Sequence, residues 1–472
     1  MLAKYRWAVI LIVICMVLSG CSGFNPMPEN LMSPPRLSPE QKEIEDALSA
    51  AVVSKPVLKY PKSGDYRSAF VFHDIDGDNE EEALAFYCTE NDPYTRVCLL
   101  DRDEKGKWGA PPYELAGADQ DVEFVAFARV VDTDSDNIVI GWGNPDDDRI
   151  TLGIYVYENG ELKTLLNGTQ QETVFQEYLI DDIDRDGQDD IILLNNSSST
   201  ATIKLVTQQD DHASITDTHR LSDSIIRFAG VIAGRVSTET PQRGVFIDEL
   251  VMGDVLVTEV FSMEHDQLVP IVTQDMDSPL SVPEDGSEPK ELLSLYDQGA
   301  RQNTANREDD SPAPVCADIN SDLVIEIPTA RLMPGYRNET EAERLYLTEY
   351  NQLNGDFLKR VFAAAINRVG GYRVEFPENW IDRVTVVTQI ENGEWKFLEY
   401  HENASHPLED LSGELARIRV VSKKDYQDKF LESYVKITER GMFTYYGYVP
   451  EQVRSELAIS AATLTRQLFS LI

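Results

Sequence analysis

The stretch Asp182-Ile183-Asp184-Arg185-Asp186-Gly187-Gln188-Asp189-Asp190 decides how the chain is interpreted. Acidic residues stand at loop positions one, three, five and nine, with glycine at position six. Alternate residues of such a tight loop direct their oxygen atoms towards one hard cation. The flanking runs, residues 178–180 and 191–194, are apolar in the manner of β-strands. The sequence therefore predicts a calcium loop between two strands.

The same spacing recurs in three other stretches, and the copies differ in quality. The loop quoted above supplies the candidate ligands Asp182, Asp184, Asp186 and Asp190. An earlier copy has asparagine at position six, which tolerates a left-handed backbone, and supplies Asp74, Asp76, Asp78 and Glu82. A weaker copy has Ile140 at position nine and retains only Asp132, Asp134 and Asp136. The last copy has Leu323 at position six, which would distort the loop, and supplies Asp318, Asn320, Asp322 and Glu326.

The spacing of these loops predicts an architecture of repeated sheets. From residue 66 to about 272, short apolar runs alternate with turn signals, and the first three loops start 58 and 50 residues apart. A unit of about fifty residues holds four short strands, the size of one β-propeller blade. The fold class predicted is mainly β, with a β-propeller over residues 66–334. We count five blades, with six blades as the alternative. The count is not fixed because residues 228–251 look like a blade with a degenerate loop, and residues 273–314 form an acidic, proline-rich insertion.

The first residues have the pattern of an export signal. Lys4 and Arg6 precede an apolar run at 7–18 that is too short to span a bilayer, and Leu-Ser-Gly precedes Cys21. This arrangement resembles the bacterial lipobox, which implies that residues 1–20 are removed and that Cys21 is lipidated. The predicted location is extracytoplasmic, on the outer face of the cell membrane, with the membrane contacted through the lipid on Cys21. The alternative is a secreted protein with a chance cysteine at this position.

Two short segments follow the signal. Residues 21–37 are rich in proline, serine, asparagine and methionine without periodicity, which is typical of a flexible tether. Ser38, followed by proline and by Gln41 three residues later, indicates the start of a helix over residues 38–55. Its apolar stripe would be Ile44, Leu48 and Val52.

Charge and cysteine content limit the partners and the covalent links. The formal net charge of −40 repels phosphate backbones and argues against nucleic acid as a partner, whereas it attracts divalent cations. Acidity that merely keeps an exported surface soluble is the simpler alternative. Cys88 and Cys98 end two apolar runs joined by a short turn, so they are candidates for a disulfide or for two buried thiols.

The last third of the chain, residues 340–472, has a mixed pattern. Strand-like runs alternate with segments that favour helices at 356–368, at 424–434 and from Pro450 onwards. Asn392 and Gly393 lie between two apolar runs and indicate a hairpin. These features predict a small C-terminal α+β module.

Repeated Asp-x-Asp-x-Asp loops between strands resemble the FG-GAP/VCBS-type repeats of integrin-like β-propellers. Together with the lipobox, the run 316–328 and the run 371–380, they are similar to uncharacterised surface lipoproteins of Gram-positive bacteria. The resemblance covers most of residues 1–400. It implies structural Ca²⁺ at the loops beginning at Asp74, Asp182 and Asp318, and more weakly at Asp132.

Signatures of catalysis are missing from the sequence. It contains no nucleophile elbow, no glycine-rich phosphate loop and no metal-type pair among its six histidines. The function predicted is therefore a non-catalytic, lipid-anchored binding or scaffold protein that presents a face to an envelope protein or glycan. Two alternatives remain: an envelope hydrolase or lyase that uses the propeller pocket, and a purely structural subunit.

Overall fold

The protein is described by a computed structural model. It covers residues 38–472 except 53, 104, 110–113, 197–199, 222–224, 253–254, 274–292, 295–300, 303–313, 341–342, 355–356, 390–392, 403–407, 409–412, 424–430 and 452. The predicted signal at 1–20, the tether with Cys21 and most of the predicted insertion lie outside the described residues. Within them the chain is mainly β. No helix of this part is both long and apolar enough to cross a membrane.

Helix α1 (Pro39–Ala51) confirms the predicted N-terminal helix. The Ser38 hydroxyl accepts a hydrogen bond from the backbone N–H of Gln41, whose side-chain oxygen accepts one from the backbone N–H of Ser38. This capping box occupies two of the backbone donors that a helix start leaves unpaired. Ile44 and Leu48 are fully buried and pack on the first sheet.

The first two sheets are antiparallel. The first contains β1 (Pro56–Leu58), β2 (Phe70–His73), β3 (Glu82–Thr89), β4 (Asp92–Arg102), β5 (Trp108–Gly109) and β6 (Glu114–Ala116). In it β3 and β4 form the central pair. The second contains β7 (Asp121–Ala128), β8 (Asn137–Gly143), β9 (Ile150–Glu158), β10 (Glu161–Thr164) and β12 (Val174–Phe175). Strands β7 to β10 follow one another as a meander, and β12 pairs with β9.

The third and fourth sheets repeat this meander. The third contains β11 (Leu166–Asn167), β13 (Glu177–Asp181), β14 (Asp190–Asn195), β15 (Thr202–Gln209) and β16 (His212–Arg220). Its edge strand β11 runs parallel to β16. The fourth contains β17 (Ile225–Arg235), β18 (Arg243–Val251), β19 (Val255–Glu264), β20 (Gln267–Pro270) and β23 (Arg301–Gln302). Residues 228–251, predicted as a blade with a degenerate loop, lie in the long antiparallel pair of β17 and β18.

The remaining strands form a small hairpin and two further sheets. The hairpin contains β21 (Val272–Thr273) and β22 (Leu293–Ser294). The fifth sheet contains β24 (Ile327–Leu332), β25 (Tyr346–Asn354), β26 (Phe357–Asn367), β27 (Tyr372–Glu375) and the C-terminal β33 (Phe469–Leu471). The sixth contains β28 (Val384–Gln389), β29 (Glu394–Glu399), β30 (Glu414–Ser422), β31 (Val435–Arg440) and β32 (Phe443–Tyr448).

Apolar cores join the sheets in chain order. One buried cluster lies between the first and second sheets, and others lie between the second and third, the third and fourth, the fourth and fifth, and the fifth and sixth. In the described part of the chain, no such cluster contains residues of both the first and the sixth sheet. The mainly β class is therefore confirmed, while a closed ring and a blade count are not shown.

The predicted helix at 356–368 is wrong, because this segment forms strand β26. Leucine, lysine, arginine and three alanines favour a helix locally, but this preference is weak compared with pairing on both sides. Strands β25 and β27 both hydrogen-bond to β26, and Ala363, Ala364 and Ala365 are buried. The boundary predicted between residues 334 and 340 falls inside the hairpin of β24 and β25.

The predicted last helix is much shorter than expected. Only α2 (Ala461–Thr463) and a π-helical turn (Leu464–Leu468) are helical, and β33 follows directly. Ser460 caps this segment, accepting a hydrogen bond from the backbone N–H of Thr463. Upstream, the indole N–H of Trp380 donates to the backbone oxygen of Leu457 at 2.9 Å. The predicted strands of the module thus form, in two β-sheets, whereas its predicted helices are mostly lacking among the described residues. Residues 424–430 of another predicted helix lie outside the described residues.

Candidate metal centres

Three of the four predicted loops gather acidic side chains. Two of these loops join consecutive strands, β2 to β3 and β13 to β14, and the third directly precedes β24. In each loop, carboxylate oxygens of three residues lie within 4.8 Å of one another. The groups are Asp74, Asp76 and Asp78; Asp182, Asp184 and Asp186; and Asp318, Asp322 and Glu326.

These three loops share one backbone shape. Position four has a positive φ in each, at Gly77, Arg185 and Ser321. Position six does too, with φ of 70° at Asn79, 95° at Gly187 and 71° at Leu323. The left-handed backbone folds the loop back, so that the residues at positions one, three and five face its centre. Asparagine takes the place of glycine as expected, and leucine occupies the same strained conformation without breaking the loop.

Hydrogen bonds from the backbone hold the first aspartate in the same way in each loop. The N–H at position six donates to that carboxylate, over 3.0 Å from Asn79 to Asp74 and 3.2 Å from Gly187 to Asp182. In the last loop Leu323 donates to Asp318 over 3.0 Å. The loops are thus preorganised by their own backbone, which lowers the entropic cost of binding an ion.

The ninth-position carboxylate closes each loop from inside the protein. Glu82, Asp190 and Glu326 are 1 %, 6 % and 0 % exposed. Each accepts a hydrogen bond from the backbone N–H at position two, over 2.7 Å from Ile75, 3.0 Å from Ile183 and 2.7 Å from Ile319. A carboxylate at this depth is costly unless its charge is balanced.

Burial shifts the titration of these ninth-position groups. Burial, assisted by the neighbouring aspartates, raises the pKa of Glu82 to about 7 against the hydrogen bonds that it accepts from the backbone. The pKa of Asp190 is raised to about 7 for the same reasons. Burial also raises the pKa of Glu326, although the Gln352 amide opposes the shift. A divalent cation would reverse these shifts by stabilising the ionised form.

Two loops contain buried oxygen atoms that lack a hydrogen-bond partner. These atoms are Oε1 of Glu82 in the first loop and Oδ1 of Asp182 in the third. Buried polar atoms are nearly always paired, so an unpaired carboxylate oxygen within an acidic loop fits an oxygen-preferring cation such as calcium. These residues and their companions would supply the ligands.

In the loop that begins at Asp318, two acidic side chains are hydrogen-bonded by a residue from outside the loop. The side-chain amide of Gln352, on β25, donates to Asp322 over 2.8 Å and to Glu326 over 2.6 Å. One NH₂ group therefore links two of the candidate ligands. The sequence did not reveal this contact because Gln352 lies outside the motif and meets the loop only through the pairing of β24 with β25.

The loop that begins at Asp132 does not form the predicted site. Among the described residues, the carboxylates of Asp132, Asp134 and Asp136 do not gather as those of the other three loops do. Instead Asn137, fully buried, accepts from the N–H of Val131 over 2.7 Å and donates to the Thr133 hydroxyl over 2.9 Å. Neutral groups thus close this loop. In the sequence, Asn137 at position six is the feature that could have indicated this neutral closure.

The sheet interfaces lie directly beside these loops. Arg129, after β7, and Asp189 exchange two hydrogen bonds of 2.8 Å, one from each backbone N–H. On the other side of the same loop, Arg243 forms a 2.6 Å ion pair with Asp181. His73 stacks on Phe127 and contacts Asp136 at 3.1 Å. A change of loop rigidity would therefore reach both neighbouring sheets.

Cys88 and Cys98 do not form the disulfide considered above, and both are thiols. Cys98 lies opposite Ala85 in the pairing of β3 with β4, whereas Cys88 lies opposite Val57 of β1. Ala85 and Cys88 are three residues apart, which corresponds to about 10 Å and to opposite faces of the sheet. The buried-thiol alternative describes Cys98, and Cys88 is half-buried.

Comparisons with known proteins leave the family open. No family model and no curated protein matches the chain. Among solved structures, the exotype rhamnogalacturonan lyase YesX is similar over 72 % of this chain and 61 % of its own, with 12 % identity and a TM-score of 0.25. Sqt1 from Chaetomium thermophilum is similar over 78 % of this chain and 93 % of its own, with 11 % identity and a TM-score of 0.28. The chain thus spans less than two thirds of the lyase.

Replacing Leu323 with asparagine is expected to stabilise the protein by about 1 kcal/mol, because the left-handed backbone is costly for leucine. Leu323 is 70 % exposed, so little packing is lost, and asparagine occupies the equivalent position 79. Thermal unfolding followed by circular dichroism measures the change. The matched Leu323→Val variant, with a β-branched side chain, is expected to lower the melting temperature. A lower melting temperature for Leu323→Asn would contradict the assignment of strain to this position.

Proposed function

We propose that this chain is a lipid-anchored extracytoplasmic binding or scaffold protein whose repeats are stabilised by calcium. Its consecutive sheets would be propeller blades, and its exposed loops would present a face to an envelope protein or glycan. The observation that carries the proposal is the recurrence of one acidic loop shape at three places beside the sheets. Repetition of a single local device is typical of a structural role rather than of one active site.

The calcium sites are ranked by the hydrogen bonding of their acids. The loops at Asp74 and Asp182 are proposed as the principal sites because each contains a buried oxygen without a partner. The loop at Asp318 would bind more weakly, since an ion must displace or accommodate the Gln352 amide. No ion is proposed at Asp132, because Asn137 and Thr133 already close that loop.

Calcium would act by fixing the positions of neighbouring sheets. The loop at Asp182 is connected to the second sheet through Arg129 and Asp189, and to the fourth through Asp181 and Arg243. Neutralising the clustered acids removes their mutual repulsion, and fixing the loop stabilises both connections. The loops that face outwards from such a framework would then offer a preorganised binding surface.

The most strongly perturbed carboxyl group of the fourth sheet does not favour the enzymatic alternative. Burial, with Glu259 and Asp248 nearby, raises the pKa of Glu249 to about 10. A catalytic acid needs contact with its substrate, but Glu249 is 0 % exposed. This observation supports a structural interpretation of that group.

Calcium binding is expected to strengthen as the pH rises from 6 to 8. In the calcium-free protein, the raised pKa values of Glu82 and Asp190, both about 7, mean that the folded state holds protons that the unfolded chain has lost. Stability without calcium therefore declines as the pH rises from about 4 through 7. Calcium requires the ionised groups, so the increase in melting temperature caused by calcium should be larger at pH 8 than at pH 6. Equal increases at both pH values would contradict the role given to these two groups.

A surface pull-down tests the binding function. The mature domain, residues 21–472 with Cys21→Ser to prevent lipidation, is incubated with an envelope extract in calcium or in chelator. A specific envelope protein or glycan should be retained in calcium and lost in chelator. The matched bait carries Glu82→Gln and Asp190→Asn, and it should capture less in calcium. Capture of nothing above the background of an unrelated acidic bait would contradict the scaffold proposal.

A further inference from the structure

A cavity of about 570 Å³ opens between the fifth and sixth sheets, away from the acidic loops. Its walls come from β24, β25 and β26 on one side and from β28, β29 and β30 on the other. Cavities of this size are typical of sites that enclose a small organic molecule. Neither the calcium loops nor the proposed binding face accounts for it.

Most of the cavity wall is apolar. Met333 and Val386 are buried, and half-buried residues complete the lining: Leu345, Ile366 and Val420. The indole of Trp395 also lines it. At the mouth, Val369 is 83 % exposed and Phe443 is 48 % exposed. Apolar side chains that surround an opening in this way favour a ligand with an apolar body.

One positive charge at this cavity has no carboxylate partner among the described residues. The guanidinium of half-buried Arg344 donates to two backbone oxygens, those of Glu339 at 3.2 Å and Arg337 at 3.5 Å. These neutral acceptors fix its orientation but do not balance its charge. Arg368 also lines the cavity.

The negative group of the lining is already engaged. Glu394 is 4 % exposed, and its carboxylate accepts a hydrogen bond from the Tyr434 hydroxyl. The remaining polar lining is neutral, with the side chains of Thr348, Thr388 and Gln389. A ligand with a cationic head would be repelled by Arg344, whereas a ligand with an anionic head would provide the counter-ion that Arg344 lacks.

We propose that this cavity binds a small amphiphilic anion, with its apolar body between the two sheets and its anionic head on Arg344. The guanidinium offers paired donors that match a carboxylate or a phosphate group. The apolar walls would take a chain or ring system of moderate length. The binding site therefore belongs to the last two sheets and is separate from the calcium loops.

Calorimetric titration with three probes of equal chain length tests the proposal. Decanoate and decyltrimethylammonium, below their micellar concentrations, and decanol, below its solubility limit, are titrated into the mature chain with Cys21→Ser. Decanoate is expected to bind, and decanol at least about tenfold more weakly because it lacks the charge. Decyltrimethylammonium is expected to give no saturable heat. Absence of decanoate binding, or equal affinity for decanoate and decanol, would overturn the proposal.

Variants locate the site. Arg344→Ala should weaken decanoate binding about tenfold and leave decanol unchanged, whereas Arg337→Ala, an exposed arginine outside the cavity lining, should change neither. Arg344 also stabilises the turn before β25, so a second variant is needed. Thr388 is an exposed residue of the cavity lining, and in Thr388→Trp the indole would fill the mouth and abolish decanoate binding. Thr218→Trp, on an exposed position of β16, is its control. Unchanged binding in Thr388→Trp, with the melting temperature retained, would place the probe elsewhere and overturn the assignment.

Discussion

Calcium is expected to raise the melting temperature of the mature protein by on the order of 5 °C, and the double variant Glu82→Gln, Asp190→Asn is expected to lose this increase. At a calcium concentration about a hundred times the dissociation constant, one site stabilises the folded state by about 2.7 kcal/mol. Both side chains are buried beside clustered aspartates, so their charges need a counter-ion. Differential scanning calorimetry in calcium and in chelator measures the effect.

The control for this experiment comes from the loop that is closed by neutral groups. Asp134→Asn removes a carboxylate at position three of the loop that begins at Asp132, but this loop relies on Asn137 and Thr133. This variant should therefore respond to calcium as the unmodified protein does. If chelator leaves the melting temperature unchanged, or if Asp182→Ala has no effect on it, the calcium account fails.

Loss of Cys21 is expected to abolish lipid attachment completely. The sequence Leu18-Ser19-Gly20-Cys21 resembles a lipobox, and lipidation requires the thiol of that cysteine. In cells grown with labelled palmitate, the unmodified protein should incorporate label and sediment with membranes. Cys21→Ala should show neither property, because it removes the thiol that would carry the lipid.

Cys88→Ala is the matched control, since it removes a thiol that lies on β3, far along the chain from the signal. It should incorporate as much palmitate as the unmodified protein. Incorporation that persists in Cys21→Ala, or that is lacking in the unmodified protein, would contradict the lipid anchor.

The local motifs predicted the described structure well where the signal lay within a few residues. Ser38 and Gln41 form the capping box that their spacing indicates, and Asn79 has the left-handed backbone that replaces glycine. The strands predicted on either side of the Asp182 loop also form, and they pair as β13 and β14. In these cases the energy that decides the conformation comes from neighbouring residues, so the sequence contains the information.

Contacts between residues far apart in the sequence were not predicted, because they outweigh the local preference for a helix. Residues 357–367 favour a helix in isolation, yet their backbone pairs with strands on both sides. The expected helix after Pro450 is limited by Ser460 and by the bond from Trp380 to the backbone of Leu457. Gln352 reaches the acidic loop only through sheet register, and no spacing rule would have found it.

The quality of each candidate site also depended on side-chain hydrogen bonds. Four acidic loops were predicted, and their sequences differ little in the number of acids. The structure distinguishes them by their buried polar groups. One carboxylate oxygen of Glu82 and one of Asp182 have no hydrogen-bond partner, Glu326 accepts from an amide, and a neutral pair replaces the ninth acid beside Asp132. The amide comes from Gln352 on the fifth sheet, whereas the neutral pair belongs to the loop that begins at Asp132.

Direct measurement of bound calcium tests the central claim. Equilibrium dialysis of the mature protein against calcium at pH 8, followed by metal analysis, should give about two tightly held ions per chain, with sites of this kind having dissociation constants on the order of 0.1 mM or below. Glu82→Gln and Asp190→Asn should each remove about one ion, and Asp134→Asn should remove none. Stoichiometry near zero, or stoichiometry that these two variants leave unchanged, would contradict the account.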